Sequence, residues 1–312
     1  MNALPDAGGV PPDPAPRGAG SSLAGAPTPR LDALLRGYSD ALAARRHVVL
    51  LGVVVLLAAV ALASIGAEVR PLVFWDKLGN FTSYFDRLTL LDTGARVWTA
   101  PAYWFWGLPR WGRLLADTVL IAYVGTITGV VLALAGGLVA SRNLGRPAWL
   151  RFVVRRLLEF ARTVPDIVFA LIFVASFGLG ALPGVLAIAL HTAGTLGKLF
   201  AEVIENIDMK LVEGIEATGA GWASRVRFGV LPQVLSNFAS YALLRFEINV
   251  RGATVIGFVG AGGIGLDLIV AIRDFYYADV SAMLLLLLAC VMLIDLGSER
   301  LRHRLLALER RP

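Results

Sequence analysis

Long apolar runs alternate with short, arginine-rich polar stretches along this chain. The runs lie at about residues 48–67, 118–140, 165–182, 185–201, 234–258 and 282–296. A helix rises about 1.5 Å per residue, so about 20 apolar residues cross a hydrocarbon core of about 30 Å. The pattern predicts about six membrane-spanning helices. The first run follows Arg45, Arg46 and His47; a cleaved leader would place it nearer the start, so it reads as a retained helix entered from the cytoplasm. Alternating sides then puts the arginines of 142–162, the loop over 213–232 and the arginine-rich end of the chain on the cytoplasmic face. Both termini are expected there.

The segments outside the runs divide the chain further. Residues 1–29 are rich in Pro, Gly, Ala and Ser and cannot bury enough surface to fold, so a disordered cytoplasmic tail is expected. Residues 30–116 read as the first span plus an interfacial segment, because Trp75, Trp98, Trp104, Trp106 and Trp111 crowd into 72–112 and amphipathic rings favour the headgroup level. Arg70, Lys77, Arg87, Arg96, Arg110 and Arg113 share that segment, against the usual poverty of outer loops in basic residues. Long loops follow that rule less strictly. Residues 301–312 form a second cytoplasmic tail.

Composition agrees with a chain embedded in a bilayer: 57% of residues are hydrophobic, 17% are charged, and the mean hydropathy is +0.69. A soluble domain of this make-up would expose far too much apolar surface. The net charge of +6 does not point to nucleic acid, because the arginines sit beside apolar runs and form no single patch. The lone Cys290 lies in an apolar run and excludes a disulfide framework within the chain. The histidines His47, His191 and His303 are far apart, and no Ser-His-Asp, HExxH or paired-cysteine pattern occurs, so an enzyme reading has no site to rest on.

The polar stretch EGIEATGAGWASRVRFGVLP, Glu213 to Pro232, carries the most specific signal. It predicts a short helix from about Glu213 through Glu216, a sharp turn at Gly219 and Gly221, and a second short helix ending at Leu231. Pro232 is expected to mark a clean break before the next span. The spacing of Glu213, Gly219 and Leu231-Pro232 resembles the EAA loop of ABC-importer permeases, with Gly214, Ile215 and Gly229 departing from its pattern. In that family the loop forms coupling helices that dock on a cytoplasmic ATPase.

Two glycine patterns suggest nucleotide binding and fail on context. Gly260, Gly262 and Gly265 spell GxGxxG, but after a long apolar run and not in a βαβ unit. GTLGKL at Gly194 to Leu199 lacks Walker spacing. With Gly263, the first three glycines are expected to break a helix at the outer surface as a periplasmic gate. The blocks HTAGTLGKLFAE from His191, RFEINVRGATVIGFVGAGGIG from Arg245, ATGA and VLPQV resemble the phosphonate/phosphite importer permeases within the methionine-type permease fold. The resemblance runs from about Asp117 to Arg300. It implies an all-α integral membrane protein whose last five spans, in a permease domain over 117–300, form a type I ABC importer core. It further implies a homodimer, two ABC ATPase subunits that hold the ATP and Mg, a periplasmic binding protein and a place in the bacterial inner membrane, with no cofactor in this chain.

Polar side chains inside the runs are the candidates for a solute path. His191, Thr195, Lys198 and Glu202 recur at helical spacing, and Arg245 shares a face with Asn249. His191, Thr195, Lys198, Arg245 and Asn249 are therefore the expected path residues. Glu247 and Arg251, one turn apart, are read as an intramembrane ion pair. Counting from Pro232, Arg245 lies roughly 18 Å into the membrane, where its charge is hardest to bring to water. A permease for methionine or another small solute, and a proton-coupled secondary transporter using His191 and Glu247, are the alternatives. The absence of an inverted repeat of spans weighs against the latter.

Overall fold

The computed structural model describes residues 29–68 and 71–309. The tail expected over 1–29 lies outside these residues apart from Pro29, as do Arg70, Arg310 and Arg311. Helices make up the described chain, with one isolated bridge between Leu90 and Arg96.

The described residues divide into two units, with the division between Leu78 and Gly79. In the first, α1 covers Pro29–Gly66, and Arg45–Gly66 is long and apolar enough to cross a membrane. Side chains on every side of that stretch, from Val48 to Ile65, are exposed. A helix that is apolar all round and unburied is suited to lipid. α2 covers Pro71–Leu88 and passes from the first unit into the second.

After α2 the second unit continues with a turn ending in a single 3-10 turn at Val97–Thr99, then α3 (Pro101–Trp104) and α4 (Leu108–Ala140). After them come α5 (Ala148–Thr163), α6 (Asp166–Phe177), α7 (Ala181–Glu205), α8 (Met209–Ala217), α9 (Trp222–Ser224), α10 (Leu231–Gly257), α11 (Ile264–Arg273) and α12 (Tyr277–Glu309). The border expected at 300/301 falls inside α12. Two of the basic residues that sat awkwardly in that segment have acidic partners: Arg96 pairs with Asp86 at 2.7 Å and Arg110 with Asp267 at 2.8 Å. The indoles are engaged too. Trp104 Nε1 donates to Ser281 Oγ at 2.9 Å and Trp106 Nε1 to Asp279 Oδ1 at 2.9 Å, which ties this segment to the start of α12.

The centre of the unit is the contact of α4 with α7. Gly125, Gly129 and Gly137 of α4 meet Ile188, Thr192 and Phe200 of α7 in the same order, so the two helices run parallel. A Cβ at Gly129 would stand 2.6 Å from the Cβ of Thr192 and 2.8 Å from the Ala189 carbonyl. Small residues at helical spacing thus let the backbones touch, as close-packed membrane helices require. α10 closes this pair: Asn249, 3% exposed, donates from Nδ2 to Thr126 Oγ1 of α4 at 2.8 Å and to Thr192 Oγ1 of α7 at 2.9 Å.

The span expected over 165–182 takes a different form. Its helix, α6, has 12 residues and stops before Gly178, whose φ is +86°, so it is too short to cross alone. α5 supplies the rest. Arg155 reaches the Ala140 carbonyl and the Glu205 carboxylate at one end of α7, Ala161 and Arg162 press against Gly194 in its middle, and Gly180 at its start donates to Gly260. The stretch 148–177 therefore runs the length of α7 as one helix broken at Val164-Pro165, where Pro165 cannot continue the ladder. Its arginines, expected in a cytoplasmic connection, lie on α5, which turns Trp149, Phe152, Leu157 and Phe160 outward and Arg155 inward.

Four described helices are long and apolar enough to span: Arg45–Gly66, Leu108–Ala140, Ala181–Glu205 and Tyr277–Arg304. α10 is as long, but Arg245, Glu247 and Arg251 lower its hydropathy.

Candidate functional site

Two regions bring the sequence candidates together: the loop at one end of α7 and α10, and the polar level around the Val164-Pro165 break. In the loop, α8 starts at Met209, a turn before the expected Glu213, because Asp208 caps it: its Oδ1 accepts from the Lys210 N–H at 3.0 Å. α8 ends at Ala217, and Gly219 follows with φ +79° and open space around its missing Cβ. Left-handed backbone is the reason for that glycine. Gly221 then caps α9.

The second short helix does not stop at Leu231. α9 leads into π-helical turns at Arg225–Val230, and these continue into α10 with Leu231 and Pro232 in its first turn. The clean break expected at Pro232 is absent: wide turns accommodate a residue that lacks an N–H and whose ring crowds the preceding turn. Gly229 sits where a Cβ would come 3.2 Å from Val212 Cα, so the glycine lets α8 pack on the π turns.

Polar contacts fix the loop on the bundle. Glu216 of α8 pairs with Arg225 at 2.5 Å. Gln233, which the sequence reading did not single out, accepts from the Asp208 N–H at 3.0 Å and donates to the Gly229 carbonyl at 2.6 Å. Arg146, from the α4–α5 connection, lies over the Trp222 ring at 3.9 Å. Glu213 and Gly214 face outward with Leu211 and Phe228, the last 62% exposed. The loop therefore offers apolar side chains on a polar rim.

At the broken helix, the carbonyl of Val164 is not used by α6 and receives the ring of His191, 3.0 Å from Nδ1. A carbonyl only accepts, so Nδ1 carries the hydrogen. Arg245, midway along α10, lies within electrostatic range of His191 and of Asp166, the first residue of α6. Its Nε is enclosed without a hydrogen-bond partner. His191 and Asp166 both lie at the Val164-Pro165 break, and the Asp166 carboxylate rests against α10 at Gly252, two turns beyond Arg245. The other path candidates are placed elsewhere. Thr195 returns its hydroxyl to the His191 carbonyl. Lys198 lies 3.8 Å from Glu202 beside a cavity of about 270 Å³ near Glu205, towards the loop end. Asn249 is the buried strut between α4 and α7 described above, which takes it off any open wall. Glu247 bonds Arg251, which also lies 3.4 Å from Asp295 of α12.

The glycines at the far end of α10 form a tight turn. Gly260, Gly262 and Gly263 have φ of +86°, +86° and +77°, and Thr118 Oγ1 of α4 accepts from the Ile264 N–H at 2.9 Å. Gly265 packs on Gly257. A cavity of about 530 Å³ opens nearby between Trp106, Arg110, Asp267 and Asp279. Among the described residues no cluster has the makings of a metal site.

Comparison with known proteins gives this geometry a context. Residues 125–307 match the family described as "Binding-protein-dependent transport system inner membrane component". A phosphite transport system permease protein of Stutzerimonas stutzeri is 45% identical over 198 residues, 64% of this chain and 72% of that protein. A phosphate-import permease protein of Mycolicibacterium smegmatis is 36% identical over 63% of this chain, but only 37% of its own length. A putative cryptic phosphonate transport system permease protein of Escherichia coli K12 is 50% identical over 117 residues, 38% of this chain and 96% of that protein. The inward-facing MetNI methionine ABC transporter superposes with a TM-score of 0.54 at 21% identity, covering 62% of this chain and 95% of that one. At that identity the likeness shows the fold.

Proposed function

The chain belongs to the binding-protein-dependent transport system inner membrane components, and on that premise we propose that it is the permease of an ATP-driven importer for phosphite or a phosphonate. The observation that carries the substrate class is the 45% identity to the phosphite permease over 72% of that protein's length. Arg245, midway along α10 and half-buried, supports it, because a guanidinium near the membrane centre costs about 2.5–3.5 kcal/mol on insertion scales and suits an anion's path. Its planar fork matches oxyanion geometry.

ATP and Mg would bind a separate ATPase that docks on the loop over 209–230. Leu211 and Phe228, exposed at a charged rim, are the side chains such a groove would take. One chain offers one such loop, so a homodimer with two ATPases, fed by a periplasmic binding protein at the glycine turn, is the simplest assembly. Closure of the ATPase pair would draw the two loops together and open the bundle at the opposite end. The loop would then face the cytoplasm.

The deciding experiment is uptake by the reconstituted permease, ATPase and binding protein. Phosphite or methylphosphonate should accumulate only with ATP. Arg245→Gln should leave assembly intact and cut uptake at least about tenfold; uptake of neither oxyanion by the wild type would refute the reading.

A further inference from the structure

Arg162, near the end of α5, is fixed in depth by its backbone. Its N atom would stand 2.5 Å from a Cβ on Gly194, and Gly194 lies near the middle of the span α7, roughly 16–20 Å from either end at the helical rise. The residue is exposed on the bundle, and its guanidinium makes no ion pair or hydrogen bond among the described residues. A charge that far from both headgroup levels belongs against water or polar groups, not lipid. Lipid is met by another side of α5: Phe160, 62% exposed along with Leu157, stands two residues before Arg162 and so about 200° round the helix.

Arg162 instead continues the side of α5 that carries Glu159 and Arg155, three and seven residues earlier. Those two line the cavity of about 270 Å³ together with Lys198, Glu202 and Glu205 of α7. The helices run antiparallel, so one turn further from the loop end brings Arg162 of α5 to the level of Thr195 of α7, itself half-buried. A polar groove therefore leads from mid-bundle to the loop end. The charges next to Arg162 along it are engaged: Glu159 with Arg156 at 2.5 Å, Lys198 with Glu202 at 3.8 Å, and Arg155 with Glu205. Such pairs make polar walls of little net charge, on which an anion would not lodge. Arg162 is left with its charge unmatched at the inner end. We propose that Arg162 meets the transported oxyanion halfway across the bundle, and that the groove between α5 and α7 is the anion's water-filled way to the loop end. This rests on the phosphite/phosphonate reading of the chain.

The test uses the permease–ATPase complex in lipid nanodiscs, with Cys290→Ala removing the chain's own thiol. A thiol placed by Arg162→Cys should react with a charged methanethiosulfonate at least about tenfold faster than one placed by Phe160→Cys, because such reagents attack thiolates in water and not in lipid. Uptake is followed in proteoliposomes that contain the complex and the binding protein. Arg162→Gln should cut phosphite uptake at least about tenfold, through loss of the charge that draws the anion. Should that variant assemble poorly, the cysteine variant serves: its reaction with the aminoethyl reagent puts an ammonium back at position 162 and should raise uptake several-fold, while the neutral methyl reagent should not. A thiol at 162 that reacts no faster than one at 160, in a complex that takes up phosphite, would mean that lipid or a packed helix covers this side of α5, and overturns this inference alone. Wild-type uptake by an assembled Arg162→Gln complex overturns it too. If the wild type takes up neither phosphite nor methylphosphonate, the functional reading fails and this inference with it.

Discussion

The Arg146 guanidinium lies 3.9 Å from the centre of the Trp222 ring, joining the α4–α5 connection to the loop between α8 and α10. Arg146 Nε and Trp222 Nε1 are both enclosed without hydrogen-bond partners, so the stacking is their main interaction. A desolvated cation over an indole contributes up to about 2 kcal/mol. In a double-mutant cycle of Arg146→Ala and Trp222→Ala, thermal unfolding in detergent should show a coupling of about 1 kcal/mol or more. Additive effects would mean that the stacking is incidental.

Gly219 adopts φ +79° with nothing near its missing side chain. Gly219→Val therefore meets no neighbour, and its cost is purely that of left-handed backbone, about 1–2 kcal/mol. The turn should relax, leaving a folded permease whose ATPase shows weakened substrate-stimulated hydrolysis. Gly219→Asn, which tolerates this backbone, should retain most of the coupling. Equal hydrolysis and uptake in the valine and wild-type complexes would show that the turn is dispensable.

At Gly129 space, not backbone, is the constraint. Gly129→Val puts a branched side chain into the α4–α7 contact and should destabilise the bundle by about 1–3 kcal/mol or more. Gly297→Ala, with nothing within 4 Å of its Cβ, should shift the unfolding temperature little. A similar small shift for both would contradict the packing described.

With the loop facing the cytoplasm, as proposed, both ends of the chain are expected on that side. A reporter active only in the periplasm, fused after Pro312, should stay silent, and the same reporter placed in the turn between α6 and α7 should be active. The reverse pattern would invert the assignment.

Much of this arrangement is legible in the residues, for reasons that also explain what is not. α7 and α10 lie within a few residues of their apolar runs, because membrane helices declare themselves by length. The turn at Gly219 was legible because only backbone geometry demanded it. The α5–α6 span was hidden by Arg151, Arg155, Arg156 and Arg162, which make the stretch look like a loop by charge. Its apolar positions, Trp149, Phe152, Val153, Leu157 and Phe160, recur every three or four residues, and that period was the available signal. The π turns before Pro232 had no comparable cue, since they depend on α8 packing against Gly229. Asn249 shared a face with Arg245 on paper; only the threonines of α4 and α7 decide that it points into the core.

The parallel contact of α4 and α7 bears on how motion is transmitted. Two helices whose backbones touch through glycines cannot slide or bend independently, because each small displacement brings main-chain atoms into collision. They act as a single stiff rod running from the loop end, where α7 leads into Asp208 and α8, to the glycine turn, where Thr118 holds Ile264. A tilt imposed at one end should reach the other undiminished, and compliance is left to the stretch beside it that is already interrupted, at Val164-Pro165.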